Sequence, residues 1–156
     1  MARSTFVYVS YINTTQEKLW SALTEDSEFM KQYWFGVHCE SQWVTGSPWK
    51  MISSDGTTII ASGDIVEAEP LKRLVIRWED QQKPEFKAEG ASLCVFELEP
   101  FNDAIKLSIT HSSECEASKL IEGVSGGWPK IISNLKSLIE AGAAIIGKPY
   151  LPEKQA

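Results

Sequence analysis

The sequence predicts an α+β domain in which an antiparallel sheet is covered on one face by a single long helix. Residues 117–142 carry apolar side chains at three- and four-residue spacings, which place them in one stripe on a helix. The roughly eighty residues after Gly36 alternate between apolar and polar types and are divided by turn signals, which indicates consecutive antiparallel strands. With the amino-terminal region added, the predicted order is strand, two short helices, six strands and a long helix.

Composition and charge indicate one ordinary globular domain. The chain has 156 residues, of which 43% are hydrophobic and 23% are charged, enough for a single core. We expect one domain over residues 1–142 and a poorly ordered tail over residues 143–156, which contains Pro149 and Pro152. A net charge of −6, with no basic cluster longer than Lys72-Arg73, argues against nucleic acid or an anionic membrane as a partner.

The cysteines and the amino-terminal segment indicate the cellular compartment in which the protein is expected. Cys39, Cys94 and Cys115 are odd in number, far apart and without the spacing of zinc or redox motifs, so we expect reduced thiols, no metal and no cofactor. Residues 1–12 are too short and too polar for a secretory signal, and no apolar run reaches membrane-spanning length. These features favour a cytoplasmic protein.

The amino-terminal region predicts a strand and two short helices. Residues 4–12 are rich in β-branched and aromatic types, as strands are. Thr14 with Glu17 has the spacing of a capping box, which would start the first helix. The second helix is expected to start near Asp26 or Ser27 and to end at Gly36, a residue suited to the left-handed conformation after a helix.

Six strands are expected next, separated by Gly-, Pro- and Asp-containing turns and by one longer polar loop over residues 80–89. In these strands one face is apolar and the other polar; Ile76 and Trp78, for example, oppose Arg77 and Glu79. The expected ranges are 37–44, 48–54, 57–69, 73–79, 89–99 and 104–115.

The long helix contains a proline that bears on its shape. The apolar stripe keeps its phase across Pro129, so we expect one helix bent near Gly126, Gly127 and Pro129 rather than two helices. Gly127 leaves room for either a bulky sheet residue or a ligand, and packing is favoured because helix glycines usually have packing reasons. Trp128 is expected to face the sheet.

Eight short phrases carry a resemblance to a known family. Over residues 5–142 the chain is similar to the bacterial proteins named after the activator of the heat-shock-protein-90 ATPase, within the START-like or Bet v 1-like (SRPBCC) superfamily. Together these phrases are specific for the family, although no single phrase would be. They are Trp20-Ser21-Ala22-Leu23-Thr24, Tyr33-Trp34-Phe35-Gly36, Gly46-Ser47-Pro48-Trp49, Gly63-Asp64-Ile65-Val66-Glu67, Leu74-Val75-Ile76-Arg77-Trp78, Phe96-Glu97-Leu98-Glu99-Pro100, Thr110-His111 and Gly126-Gly127-Trp128-Pro129.

The resemblance implies a fold and a cavity. Such proteins have the helix-grip fold, in which a curved antiparallel sheet, here of seven strands, wraps a long carboxy-terminal helix and leaves a cavity between them. Relatives in the wider superfamily bind lipids, hormones or polyketides, and a minority are cyclases or hydrolases. The eukaryotic co-chaperones behind the family name carry a further amino-terminal domain, whereas this chain begins directly with its first strand, so ATPase activation is not implied.

The candidate catalytic residues are His111 and Asp64. His111 follows the inward phase of its strand, where it could act as an acid or base or pair with a backbone carbonyl at the cavity rim. Asp64 follows Gly63, which could mark a bulge and so change the face to which Asp64 points. Glu97 and Glu99 are expected to face water. No nucleophile or phosphate-binding motif is present, so an enzyme is the less favoured alternative.

His38 and Cys39 raise the question of a metal site. Because consecutive strand residues point to opposite faces, the two side chains cannot both bind one ion on a regular strand. We therefore expect no metal there.

Aromatic residues are the main candidates for a binding site. Apolar small-molecule sites are commonly lined by aromatic side chains with a few polar groups. The residues expected to contact a ligand are Trp34, Trp49, Met51, Trp78, Phe96, His111 and Trp128.

The leading hypothesis is a binder of an apolar or amphipathic small molecule, held between the sheet and the long helix. One alternative is an enzyme that uses the same cavity. Another is an interaction module whose protein partner is a chaperone or an ArsR-type transcription regulator. We expect a monomer or a weak dimer.

Overall fold

The computed structural model describes residues 3–146, which form one sheet and four helices; the order is the one expected from the sequence, with one further short helix between the fifth and sixth strands. The strands are β1 Ser4–Ile12, β2 His38–Ser41, β3 Pro48–Ile52, β4 Ile59–Glu69, β5 Arg73–Asp80, β6 Ser92–Phe101 and β7 Ala104–Ser113. The helices are α1 Gln16–Leu23, α2 Ser27–Tyr33, α3 Pro84–Lys87 and α4 Lys119–Ala141.

The seven strands form one antiparallel sheet in the order β1-β7-β6-β5-β4-β3-β2. Strands β2 to β7 are consecutive neighbours, as expected for strands joined by short connections. The amino-terminal strand completes the sheet beside β7, with Ser4 opposite Ser113 and Ile12 opposite Ile105. The predicted seven-stranded α+β helix-grip architecture is confirmed.

The hydrophobic core lies between one face of the sheet and α4. On β5 the alternation places Ile76 and Trp78 in the core, whereas Arg77 is exposed. The stripe of α4 supplies the opposite surface. Its buried apolar residues are Leu120, Ile121, Trp128, Ile131, Ile132, Leu135 and Leu138.

The long helix is continuous through Pro129, so the prediction of one helix is confirmed. It begins after Ser118, whose hydroxyl accepts a hydrogen bond from the N–H of Ile121 at 3.1 Å, and ends at Gly142 with φ +83°. Ala117, the first residue of the predicted stripe, is exposed and lies outside the helix with φ +54°. The bend near Gly126 stays a prediction.

The first helix is capped by Thr15 and not by Thr14. The hydroxyl of Thr15 accepts a hydrogen bond from the N–H of Lys18 at 3.2 Å, whereas the hydroxyl of Thr14 is buried without a partner among the described residues. The capping box was misplaced because two adjacent threonines offer the same cap chemistry one residue apart. The second helix starts where expected, at Ser27 with Asp26 as its cap, but it ends at Tyr33 and not at Gly36, which has φ +87°.

The predicted strand 37–44 and the predicted loop 80–89 differ from the structure. The strand that begins at His38 ends at Ser41, because Trp43 takes φ +59° and its N–H donates to the hydroxyl of Ser41 at 2.9 Å. The predicted polar loop after β5 contains the short helix α3, which is preceded by Lys83 and has Pro84 in its first turn.

Residues 143–146, the start of the predicted tail, are attached to the domain. Asn134, fully buried on α4, accepts a hydrogen bond from the N–H of Ile146 at 2.7 Å and donates one to its carbonyl at 2.9 Å. The rest of the predicted tail lies outside the described residues.

Candidate ligand pocket

An aromatic cluster surrounds Trp128, which is 2% exposed and faces the sheet as predicted. Its ring centroid lies 5.4 Å from that of Trp34, 6.1 Å from that of Trp78 and 5.7 Å from that of Phe96. Trp49 extends the cluster, with its ring 5.1 Å from Trp78. Trp34, which directly follows α2, and side chains from β3, β5, β6 and α4 therefore pack together, although they are far apart in sequence.

His111 lies in this cluster with both ring nitrogens hydrogen-bonded. The indole N–H of Trp128 donates to Nδ1 at 3.2 Å, which places the imidazole proton on Nε2. That N–H donates to the hydroxyl of Ser92 at 2.9 Å, and this hydroxyl donates to the carbonyl of Trp78 at 3.2 Å. The chain of hydrogen bonds is complete, and burial lowers the pKa of His111 to about 3.

The two predicted catalytic residues are not brought together. Asp64 pairs with its register partner Arg77, whose Nη1 lies 2.8 Å from both carboxylate oxygens on the polar face of the sheet. His111 is fully buried on the opposite face. The structure thus separates His111 and Asp64 across the sheet.

The outward direction of Asp64 follows from regular pairing at Gly63. The register of β4 shifts between Ile65 and Glu67 in its pairing with β5 and between Ile59 and Ala61 in its pairing with β3, so the bulge considered at Gly63 does not occur there. A β-carbon at position 63 would lie 1.7 Å from the carbonyl oxygen of Arg77. The glycine is therefore required by the close approach of two backbones.

The other candidate residues lie where their strand phase predicts. Glu97 is half-exposed and its carboxylate lies 2.5 Å from Nη1 of Arg73, and Glu99 is exposed. Nε2 of His38 lies 2.9 Å from the carboxylate of Glu40, two residues along the same strand face. The three cysteines are free thiols.

A pocket of about 390 Å³ opens beside the aromatic cluster, between the sheet, the connection from β5 to β6 and the first half of α4. Four of the seven predicted ligand residues line it: Trp34, Met51, Trp78 and Trp128. The remaining three, Trp49, Phe96 and His111, are not lining residues of this pocket. Their rings lie against the ring of Trp78 or Trp128. The pocket's other apolar side chains are Ile60, Phe86, Leu120, Val124 and Ile131, and its polar ones are Ser53, Asp80, Gln82 and Lys83.

Gly127 opens this pocket from the helix side. A β-carbon at position 127 would meet no described atom within 4 Å, apart from its chain neighbours and the local helix backbone. The favoured packing explanation for this glycine is therefore wrong, because no sheet residue fills the room that it leaves. The nearby Gly123 differs, since a β-carbon there would lie 3.4 Å from the ring of Phe86.

Asp80 is a lining residue that the sequence reasoning missed. It continues the inward phase of Leu74, Ile76 and Trp78 on β5 and is only 7% exposed. The two-residue alternation of the strand extends to Asp80 and indicates that its side chain faces inward. Its polarity, however, is typical of the loop in which the sequence predicts it. The structure thus adds a buried carboxylate to the aromatic pocket.

A second groove, of about 510 Å³, lies elsewhere on the surface between α1, α2 and the end of α4. It is larger, but its lining has Phe29 as the one aromatic side chain among the described residues, and seven of its eleven lining residues are polar or charged, among them Thr15, Glu17, Lys18 and Asp26. The aromatic pocket beside Trp128 is the better match to the composition of apolar small-molecule sites.

The chain matches a known protein family over most of its length. Residues 13–140 match the family described as activator of Hsp90 ATPase homolog 1-like protein. The chain belongs to this family. No curated protein matches the chain significantly.

Solved structures similar to this family member share its fold. Protein MLL2253 from Mesorhizobium loti has a TM-score of 0.74 at 23% identity, with 88% of this chain and 97% of that chain covered. The Aha1 dimer from Colwellia psychrerythraea has a TM-score of 0.71 at 19% identity, with 89% and 98% covered. An HSP90 activator from Plasmodium falciparum, PFC0360w, has a TM-score of 0.68 at 19% identity, with 86% and 95% covered.

Within residues 3–146, no group of three His, Cys, Asp or Glu side chains is arranged as metal ligands. No helix in the same range is long and apolar enough to cross a membrane. The chaperone or ArsR-type partner and the monomer or weak dimer stay predictions.

Proposed function

We propose that the protein binds an apolar or amphipathic small molecule in the aromatic pocket and does so in the cytoplasm. The observation that carries this proposal is Gly127, a buried glycine in the middle of a helix with open space beside it. A glycine in a helix interior costs about 1 kcal/mol relative to alanine, and no packing neighbour requires it here. A ligand that needs the room explains the residue.

The lining supports the same proposal. Trp34, Trp78 and Trp128 give large apolar surfaces with fixed geometry, and Met51 adds a side chain that adapts to irregular shapes. About 390 Å³ lies at the lower end of the range for ligand pockets, so the ligand is the size of two or three fused or linked rings.

The test uses N-phenyl-1-naphthylamine, an uncharged apolar probe whose fluorescence rises in apolar surroundings. We expect saturable binding to the wild-type protein and an increase in melting temperature that grows with probe concentration. Gly127→Leu fills the pocket and is expected to weaken binding by about tenfold or more.

Gly126→Leu is the matched control. Gly126 precedes Gly127 on the same helix, is exposed, and a β-carbon there also meets nothing within 4 Å. Both substitutions therefore raise helix propensity by the same amount, but only one enters the pocket. Equal binding by the two folded variants, or no binding of any apolar or amphipathic probe by the wild type, contradicts the proposal.

A further inference from the structure

The one buried carboxylate of the aromatic pocket, Asp80, identifies the kind of head group that the pocket accepts. Asp80 is more than nine-tenths buried and lies two residues after Trp78 on the inward face of β5. It lines the same pocket as Trp78 and Trp128. A carboxylate in such a place is costly unless cations or hydrogen-bond donors surround it.

Only one oxygen of this carboxylate has protein partners. Oδ1 accepts hydrogen bonds from the backbone N–H groups of Gln82 and Lys83, each at 2.8 Å. No donor from residues 3–146 reaches Oδ2. Oδ1 of Asp80 thus holds the turn into α3, whereas Oδ2 has no hydrogen-bond donor among the described residues.

The nearest cationic side chain in the pocket does not neutralise Asp80. Lys83 lines the rim, but its ammonium lies over the ring of Phe86, 5.1 Å from the centroid, and forms no ion pair within the described residues. The ammonium of Lys83 is thus held by a cation–π contact with a residue of the pocket lining, and not by Asp80.

We propose that the pocket selects ligands that carry a protonated amine on an apolar body, with the amine at Oδ2 of Asp80 and the body among the tryptophans. The inference rests on the proposed binding function and adds the ligand class. A charge-assisted hydrogen bond to a buried carboxylate is about twice as strong as a neutral one, and the faces of Trp34, Trp78 and Trp128 attract cations.

The test compares three probes that share one ring system and differ in charge. They are 2-(2-naphthyl)ethylamine, 2-(2-naphthyl)ethanol and 2-naphthylacetate, titrated into the wild-type protein by isothermal calorimetry at pH 7. We expect the amine to bind about tenfold or more tightly than the alcohol, and the carboxylate to bind most weakly.

Asp80→Asn removes the charge and keeps an oxygen that can accept from Gln82 and Lys83. Glu79→Gln is the matched control, because it removes the same charge from the outward face one residue away. We expect Asp80→Asn to abolish the preference for the amine over the alcohol and Glu79→Gln to preserve it. The order of the three probes on the wild type decides the question even if Asp80→Asn does not fold.

The outcomes separate this inference from the proposed function. If the alcohol binds and the amine binds no more tightly, the amine inference is wrong and pocket binding stands. If the carboxylate binds most tightly, the inference is wrong and Lys83 is the head-group partner. If none of the three probes and no other uncharged probe binds, both proposals are wrong.

Discussion

Single residues set how closely the backbone segments of this domain approach each other. Gly63 on β4 lies so near β5 that a side chain of any size would overlap the carbonyl group of Arg77. That overlap is with backbone, which cannot rotate away as a side chain can. The pairing that turns Asp64 outward and Trp78 inward therefore depends on a missing methyl group.

Gly63→Ala is expected to lower the free energy of unfolding by about 2 to 4 kcal/mol, since β4 and β5 must separate to admit the methyl group. Urea unfolding of the wild type and the variant at pH 7 measures this change in the free energy of unfolding. Gly126→Ala is the control, because this exposed helical position has open space and is expected to gain up to about 1 kcal/mol. A change below about 0.5 kcal/mol for Gly63→Ala contradicts the steric argument.

At the scale of elements, α4 is fastened at its amino end by the connection between β5 and β6. The carboxylate of Glu89 accepts from the hydroxyl of Ser118 at 2.5 Å and from the N–H of Lys119 at 2.8 Å. A carboxylate at this place satisfies a free helix donor and interacts favourably with the helix dipole. The same connection carries Phe86 and Lys83, so this contact also fixes one wall of the pocket.

Glu89→Ala is expected to lower the free energy of unfolding by about 1 to 2 kcal/mol, because Lys119 loses its acceptor and Ser118 loses a partner. Chemical denaturation measures the loss, and faster amide hydrogen exchange at Lys119 locates it. Glu116→Ala serves as the charge-matched control, since Glu116 is exposed near the same helix end. If both variants lose equal stability, the effect is one of net charge and not of the two hydrogen bonds.

At the scale of the whole molecule, the core is closed around a neutral histidine. His111 on β7 connects α4 through Trp128 to β5 and β6 through Ser92 and the carbonyl of Trp78. Its pKa of about 3 lies well below the ordinary value of about 6.5 that it regains on unfolding. Protonation therefore favours the unfolded chain.

The sign of the pH dependence follows from this difference. The contribution of neutral His111 to the stability of the folded state is complete above about pH 6.5. It is lost as pH falls toward 3, because the unfolded state then binds a proton that the folded state does not. We expect the free energy of unfolding to be about 2 kcal/mol lower at pH 5.0 than at pH 7.5. His111→Gln should remove most of this difference.

Nuclear magnetic resonance provides the direct measurement. The Cε1–H signal of His111 in the folded protein should show no titration between pH 7.5 and pH 5. A midpoint near pH 6 or 7 for that signal would mean that the buried hydrogen-bond chain does not hold the ring neutral.

Much of this architecture was predictable, because alternation and helical periodicity are local properties. The phase of Ile76 and Trp78, the stripe around Trp128 and the left-handed position of Gly36 each follow from a few neighbouring residues. Local chemistry is ambiguous at Thr14 and Thr15, either of which can cap a helix, and at Asp80, whose polarity indicates a loop whereas its phase indicates the inward face of a strand.

Periodicity in the sequence predicts which faces of the strands are dry and that one long helix covers the sheet. The cluster around Trp128 and the roles of Gly63, Gly127 and His111 depend on contacts between elements that are distant in sequence. A glycine gives no sign in sequence of whether its missing side chain admits a backbone or leaves a cavity, because the answer lies on another element. The same holds for His111, whose two partners are 17 and 19 residues away along the chain.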